Sequence, residues 1–404
     1  MRFLFVSHYF YPEVGAPQTR ILETAQRLTA AGHEVSVLTG FPNYPDGVIP
    51  KEYRRRALQR ERLGEIRLIR SAVYPSANSG FARRLLNHAS FALSCLLAAP
   101  MAQRPDVIVA ETPPLFTAVS GVLIARGWRA PLILNVADLW PESAVQLGML
   151  SDPRAIRAAT ILETFAYRHA AAITVPTAGM RTTLVGRGEP GDKVVHLPNA
   201  VDIGRFGVGT GSECPANGDQ RPRVIYCGTV GLAQGVGTIV QAAHELRTMG
   251  AEIDFLIVGD GAEREGLAQL ARERGLSNVR FAGRVPREDV PSLIGSSDVA
   301  VLSLRDVPLF EDALPTKLLE YMAAGLPVVA SAAGDVSRLL SRADAGVACA
   351  PADARALATG IRRVTEDPAR AREMGANGRR YVRAHYSRDA FVSSLERIAE
   401  SLTQ

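Results

Sequence analysis

The sequence predicts an α/β protein made of two doubly wound parallel-sheet domains. Three observations lead there. Short apolar runs alternate with amphipathic stretches along both halves of the 404 residues, the pattern of βα units in a parallel sheet. A segment rich in Gly, Pro and polar residues, 204–222, interrupts that alternation midway. The balance of 47% hydrophobic and 22% charged residues is that of a foldable globular chain.

The first half opens on an apolar run, MRFLFVSHYF, read as a buried strand. It has no cleavage site and too short an apolar core for a secretory signal. A helix follows from Pro17 to Ala31, with Ile21, Ala25 and Leu28 on one face and Gly32 as its stop. Further strands are expected at EVSVLTG, 106–110, 131–137, 171–176 and 194–198. After the interruption the alternation restarts with RVIYCG, DFLIVG, NVRFAG, DVAVLS, PVVAS and GVACA. Helices lie between them, over 236–249, over 262–274 and from Thr316. From about 352 to the end the sequence is helical. This gives a domain over 1–203, a linker over 204–222 and a second domain over 223–383. A terminal helix, 384–404, packs back on the first domain.

Charge and cysteines exclude several classes. The net charge is +5. Between Lys51 and Arg70 eight basic residues face three acidic ones, so that one segment accounts for the excess. Such a patch suits a phosphate or an anionic membrane surface; without interleaved aromatics it does not suit a nucleic acid. Cys95, Cys214, Cys227 and Cys349 are widely spaced and read as reduced cytoplasmic thiols, mostly in the core. There is no Asp-x-Asp and no His-Glu-x-x-His, so no protein-held metal is expected. No apolar run reaches the ~18 residues that cross a bilayer. His33 reads as a helix-to-strand turn residue and His196 as core.

In open α/β sheets, ligands sit beyond the carboxyl ends of strands, so the chemistry is expected in the loops there. Four loops stand out. Gly228-Thr229-Val-Gly231-Leu-Ala-Gln234-Gly235 follows the first strand of the second domain and opens a helix. It is either a tight turn or a phosphate cradle of glycines and helix N–H groups. Its spacing is neither Gly-x-Gly-x-x-Gly nor Gly-x4-Gly-Lys-Ser/Thr, which argues against a dinucleotide fold. Asp312-Ala-Leu-Pro315-Thr316-Lys317-Leu-Leu-Glu320 places two carboxylates and a cation at a loop–helix junction. Carboxylates accept hydroxyl pairs of a ribose or a sugar, and Lys317 suits a phosphate. An ordinary capped amphipathic helix explains Leu318, Leu319 and Met322, but not those three charges. Asp138, in Asn135-Val-Ala-Asp138-Leu-Trp140, is either a helix N-cap or a cleft carboxylate. Gly15 and Arg20 belong to the first strand–helix loop, where a phosphate or an acceptor could approach.

Taken in order, these segments resemble the family 4 glycosyltransferases, retaining enzymes of the GT-B fold. The resemblance runs along nearly the whole chain. It is carried by the Gly15 loop, Gly32-His33-Glu34-Val35, Pro198-Asn199-Ala200-Val201-Asp202, Gly228 to Gly235, Val258-Gly259-Asp260-Gly261, and Asp312 to Pro327. Asp312 stands where the family commonly has the first of two glutamates. Thr229 and Gln234 replace the usual Arg and Lys, and Asp138 lies at or beside the place of the usual cleft histidine. A bacterial subgroup of O-antigen and colanic-acid-type enzymes is similar in those same features and in Phe41-Pro-Asn-Tyr-Pro-Asp-Gly47. Some of its members resemble transferases of N-acetylated 6-deoxyamino sugars, such as N-acetyl-fucosamine, that act on lipid-linked acceptors.

The resemblance implies a metal-independent transferase without a cofactor, using a nucleotide-sugar donor, a UDP-sugar by expectation. It implies a polyprenyl-diphosphate-linked saccharide acceptor and a peripheral place on the inner face of the cytoplasmic membrane. Gly228, Thr229, Gln234 and Gly235 would contact the diphosphate, with Lys317 and the helix start at Pro315-Thr316. Glu320 would hold the ribose, Asp312 the donor sugar, and Gly283-Arg284-Val285 the base. Asp138 would orient the acceptor or stabilise positive charge. An apolar helix with a basic start, 81–103, would meet the membrane beside the 51–70 segment. A core helix with solvated arginines accounts for the same residues. The rivals are a GT-B sugar-nucleotide epimerase and a nucleotide-sugar-binding protein without turnover.

Overall fold

The computed structural model describes residues 1–13, 15–44, 46–76, 81–206 and 221–404. Of the expected linker over 204–222, residues 207–220 lie outside the described ones, and Cys214 with them. The chain forms two units, Met1–Pro198 with Arg388–Gln404, and Asn199–Ser387.

Among the described residues, unit 1 holds eight strands: β1 (Arg2–Val6), β2 (Glu34–Gly40), β3 (Leu58–Leu63), β4 (Ile66–Ser71), β5 (Val107–Thr112), β6 (Leu132–Val136), β7 (Ala172–Val175) and β8 (Val194–His196). They lie in the order β3-β4-β2-β1-β5-β6-β7-β8. All neighbours are parallel except β3 and β4. The inner strands are buried almost throughout, as runs such as FLFV and VIVA require in a sheet covered on both faces.

The β3–β4 hairpin corrects the reading of 51–70 as a simple basic patch. Arg70 is 1% exposed; it pairs with Glu61 at 3.1 Å and donates to the Tyr11 carbonyl at 2.6 Å. Arg67 pairs with Glu34 at 2.9 Å. Arg54, Arg55, Arg56, Arg60 and Arg62 keep exposed positions. His196 is also not core: it is exposed at the end of β8. The helix expected over 81–103 ends at Ala98, where a short 3-10 turn, Ala99–Met101, begins.

The terminal helix Arg388–Thr403 belongs to unit 1 through charge and packing. Arg388, 3% exposed, donates to Glu23 at 3.0 Å, and Glu396 meets His33 at 2.9 Å. Phe391 and Leu395 are buried beside these contacts.

Unit 2 holds β9 (Arg223–Cys227), β10 (Asp254–Val258), β11 (Val279–Gly283), β12 (Val299–Ser303), β13 (Val328–Ser331) and β14 (Gly346–Cys349). They form one parallel sheet in the order β11-β10-β9-β12-β13-β14. Strand order reverses between β9 and β12, and in open α/β sheets the carboxyl ends at such a point are where ligands bind. Two apolar layers cover the sheet, one containing Leu318, Leu319, Tyr321 and Met322, the other Ile239, Val240, Leu357 and Ile361.

Candidate functional site

The carboxyl ends of β9 to β12 gather most of the residues expected to carry chemistry. After β9 the chain turns through Gly228, whose φ of 148° lies in the region that favours glycine. Its amide donates to the Val258 carbonyl at 2.9 Å. Gly259 approaches so closely that a Cβ on it would collide with the Gly228 carbonyl. Two strand–helix loops therefore pack backbone on backbone, and Val230 donates to the Asp260 carbonyl at 2.9 Å. A 3-10 turn over Leu232–Gln234 and a left-handed Gly235 then lead into the helix Gly237–Thr248.

This geometry changes how the loop can meet a phosphate. The Gly228 amide is used inside the protein, and the Gln234 amide donates to the Gly231 carbonyl at 3.1 Å. The amides of Gly228 and Gln234 are thus already engaged within the protein, which leaves the Gln234 side chain and the space at Gly228 as what these positions offer. Ser303 on β12 fixes the turn by donating to the Gln234 carbonyl at 2.7 Å.

The helix Thr316–Ala323 starts after Pro315, whose carbonyl accepts the first helical bond from Leu318 at 3.0 Å. One face is core: Leu318, Leu319, Tyr321 and Met322 are all fully buried. The other carries Lys317 and Glu320, one turn apart and half-buried. Tyr321 docks the helix to β9: its hydroxyl accepts from the Cys227 amide at 2.7 Å and donates to the Cys227 carbonyl at 3.1 Å. That contact sets Lys317 beside the end of β9. Its ammonium donates to the Tyr226 hydroxyl at 2.6 Å and lies 4.2 Å from the centre of that ring.

The electrostatics follow from this enclosure. Burial pushes the Lys317 ammonium down to about 8, against the opposing pull of Cys227 and Glu320. Burial raises the Cys227 thiol to about 12, with the Glu320 carboxylate adding to the rise. Asp312 ends the turn Pro308–Asp312, half-buried. The helix Gly334–Ala343 starts hard against that turn, because a Cβ on Gly334 would collide with the Glu311 carbonyl. Gly283 ends β11, and its carbonyl accepts from the Gly259 amide at 2.7 Å. Arg284 is exposed and pairs with Asp260 at 3.3 Å, while Val285 packs on the core.

In unit 1, Gly15 precedes the helix Ala16–Ala30, and its carbonyl accepts from Thr19 at 3.0 Å. Asp138 lies beyond the end of β6. Burial raises its carboxyl, partly offset by hydrogen bonds from the Ser143 side chain and the Leu139 amide. Arg20 departs from its expected role. It is 7% exposed and donates to Glu111 on β5 at 2.6 Å. Asn135 donates to the same carboxylate at 2.9 Å, and Thr174 donates to Asn135 at 3.0 Å. Arg20 thus joins a buried polar chain across β5, β6 and β7.

Two groups escape sequence reasoning. Glu13 accepts from the amides of Asn43 at 2.8 Å and Tyr44 at 2.7 Å, pinning the Phe41–Tyr44 loop. Burial nonetheless raises its carboxyl to about 7. Asn87, fully buried on the helix Phe81–Ala98, donates to the Asn43 side chain at 3.0 Å and to the Tyr74 carbonyl at 2.6 Å. Its carbonyl oxygen faces His8 Nε2 at 2.8 Å. An acid two residues from a loop glycine was the only available signal for Glu13; its partners lie thirty residues away.

Residues 15–200 match the glycosyl transferase 4-like domain, and residues 214–381 match the glycosyl transferases group 1 family. The chain is built from two glycosyltransferase domains. A relative named for glycosyl transfer in colanic acid biosynthesis, WcaI of Escherichia coli (strain K12), is 26% identical over 377 residues, 90% of this chain and 91% of WcaI. The sucrose-phosphate synthase of Thermosynechococcus elongatus superposes with a TM-score of 0.78 at 21% identity, covering 99% of this chain and 98% of that one. HepE of Anabaena, solved in complex with UDP-glucose, superposes with a TM-score of 0.73 at 18% identity, covering both chains fully. The two glycosyltransferase domains carry the GT-B fold.

Proposed function

We propose that the chain is a retaining glycosyltransferase of bacterial surface-polysaccharide synthesis. In this reading the donor is a UDP-linked, N-acetylated amino or deoxyamino hexose. The acceptor is a polyprenyl-diphosphate-linked saccharide at the cytoplasmic face of the inner membrane. The observation that carries the reading is the convergence of Lys317, Glu320 and the glycine-opened turn at the β9–β12 crevice. The likeness to WcaI supports the pathway class, and the UDP-glucose complex of HepE supports the donor class.

Breaking the bond between the anomeric carbon and the diphosphate oxygen leaves negative charge on the diphosphate and positive charge on the sugar ring. Each needs preorganised partners. Lys317 and the helix start at Pro315-Thr316 would meet the diphosphate. The Thr229 hydroxyl and the Gln234 side chain would add polar contacts, with Gly228 and Gly235 shaping the cradle. Glu320 would accept the ribose hydroxyls, Asp312 the donor-sugar hydroxyls, and the Gly283-Arg284-Val285 backbone would border the base. The acceptor hydroxyl attacks on the face from which the diphosphate leaves, and the departing phosphate oxygen takes its proton. Asp138 would orient the acceptor or stabilise the developing positive charge, and the Gly15 loop would admit the acceptor. Arg20 is left out, because its guanidinium is held by Glu111.

Membrane contact is supported by the helix Phe81–Ala98. Leu86, Leu93 and Leu97 are 50%, 68% and 78% exposed, at spacings that place them on one face, and Arg83 is exposed near the helix start. Among the described residues no helix is long and apolar enough to cross a membrane. The scheme needs no metal: the sequence offers no Asp-x-Asp, and Lys317 supplies the positive charge.

The test is UDP release from UDP-sugars with and without a lipid-linked saccharide. Release that depends on the acceptor supports transfer. A changed donor sugar without acceptor would favour an epimerase, and binding with no turnover a nucleotide-sugar-binding protein.

A further inference from the structure

The hydroxyl of Tyr226 has two partners of opposite character. Lys317 Nζ donates to it at 2.6 Å, and it donates to the Thr229 carbonyl at 2.5 Å. An ammonium can only donate and a carbonyl can only accept, so the direction of this chain is fixed. Tyr226 itself is 0% exposed and belongs to the apolar layer that also holds Val224, Val230 and Val236. The core needs only an apolar ring at this position. The hydroxyl adds nothing to that packing, yet it links the one cation of the helix start to the turn that follows β9.

We propose that Tyr226 is a positioning residue for Lys317, holding the ammonium over Gly228 so that it meets the leaving diphosphate without reorientation. The inference rests on the donor-site reading above, and it adds a residue that touches no substrate. Three features support it. The ring is locked by packing, so the hydroxyl is a fixed anchor. The ammonium is held by two contacts with one side chain, the hydrogen bond and the ring face. Gly228 leaves the space above the turn open to the ammonium, with a hypothetical Cβ only 2.9 Å from Nζ. The groups acting on the ammonium are Tyr226 and Cys227 of β9 and Glu320 of its own helix, and Tyr321 is held on the Cys227 backbone. The hydroxyl is a neutral acceptor that favours the charged ammonium in a half-buried setting.

The test compares the full-length enzyme with Tyr226→Phe, Lys317→Ala and the double variant, reading kcat, donor KM and the pH dependence of kcat. Phe keeps the ring and its packing, and an unchanged Tm of Tyr226→Phe verifies an intact fold. The expected result is a kcat lowered about tenfold with donor KM within about twofold. The basic limb of the profile moves to lower pH, because the charged ammonium has lost an acceptor. In the Lys317→Ala background, Tyr226→Phe adds no further loss. A Tyr226→Phe enzyme with the parent's kcat and basic limb, beside an impaired Lys317→Ala enzyme, overturns the positioning role and leaves the donor-site reading standing. Additive losses in the double variant overturn it as well, since Tyr226 then acts through the turn alone. A Lys317→Ala enzyme with the parent's kcat overturns the leaving-group reading and the positioning role together.

Discussion

Gly228 leaves the room that Lys317 occupies: a Cβ at position 228 would lie 2.9 Å from Lys317 Nζ and 3.0 Å from its Cε. The glycine after β9 and the cation on the helix Thr316–Ala323 are therefore one device, although 89 positions separate them. Gly228→Ala is expected to displace the ammonium and to strain a backbone φ of 148°. Kinetics alone will not separate the two effects. Calorimetry with UDP will show weakened binding in Gly228→Ala, whereas Ala at the exposed Gly64, whose Cβ meets nothing, leaves UDP binding unchanged.

Lys317→Ala is expected to lower kcat more than it raises the donor KM, because the diphosphate carries more charge in the transition state than in the bound donor. One preorganised donor of this kind contributes roughly 2.7–4 kcal/mol, or about 10²–10³ in rate. Gln234→Lys in that background is expected to restore part of the rate. A Lys317→Ala enzyme with kcat within about twofold of the parent would leave this lysine no role at the leaving group.

Arg20 and Glu111 test whether a buried charge near a loop glycine is structural. Both side chains are only 9% exposed. Arg20→Met leaves Glu111 buried with Asn135 as a neutral donor, and breaking such a pair costs about 3–5 kcal/mol. Urea unfolding is expected to show that loss, and Arg20→Met/Glu111→Leu to recover much of it. Lost transfer activity with unchanged stability would return Arg20 to a ligand-binding role.

Glu13 makes the stability of unit 1 depend on pH. Its carboxyl is raised from 4.5 to about 7 by burial. A carboxyl raised on folding contributes stability that is present below the unfolded value and lost as pH rises through the folded one. The loss therefore falls between about 4.5 and 7. Glu13→Gln keeps an acceptor for the Asn43 and Tyr44 amides and cannot ionise. Relative to the parent, its Tm is expected to be higher at about pH 8 than at about pH 5.5. A difference that does not change with pH would contradict this account.

The two sheets were legible because their strands are unbroken apolar runs, as in FLFV, VIVA and DFLIV, with a glycine or polar break after each. The β3–β4 hairpin was not. LQRERL alternates charge with partly buried positions at a sheet edge, and its arginines read as a solvated patch. The junction around Lys317 and Glu320 was visible because three charges crowd a loop–helix boundary. The roles of Tyr226 and Glu13 were not. A tyrosine in RVIYC reads as core, and only the fold brings Lys317 to its hydroxyl. A loop glutamate likewise shows nothing of the amides of residues 43 and 44 that it will meet. The contact of Arg20 with Glu111 was equally hidden, since only the fold brings β5 beside the first helix.

The central claim is that the β9–β12 crevice of unit 2 binds a nucleoside diphosphate through Glu320 and its neighbours. Isothermal titration of UDP into the parent and into Glu320→Ala tests it most directly. Loss of a charged acceptor of ribose hydrogen bonds costs about 1.5–3 kcal/mol, so the variant is expected to bind UDP roughly 10- to 150-fold more weakly. Equal affinity of the two proteins for UDP would contradict the claim.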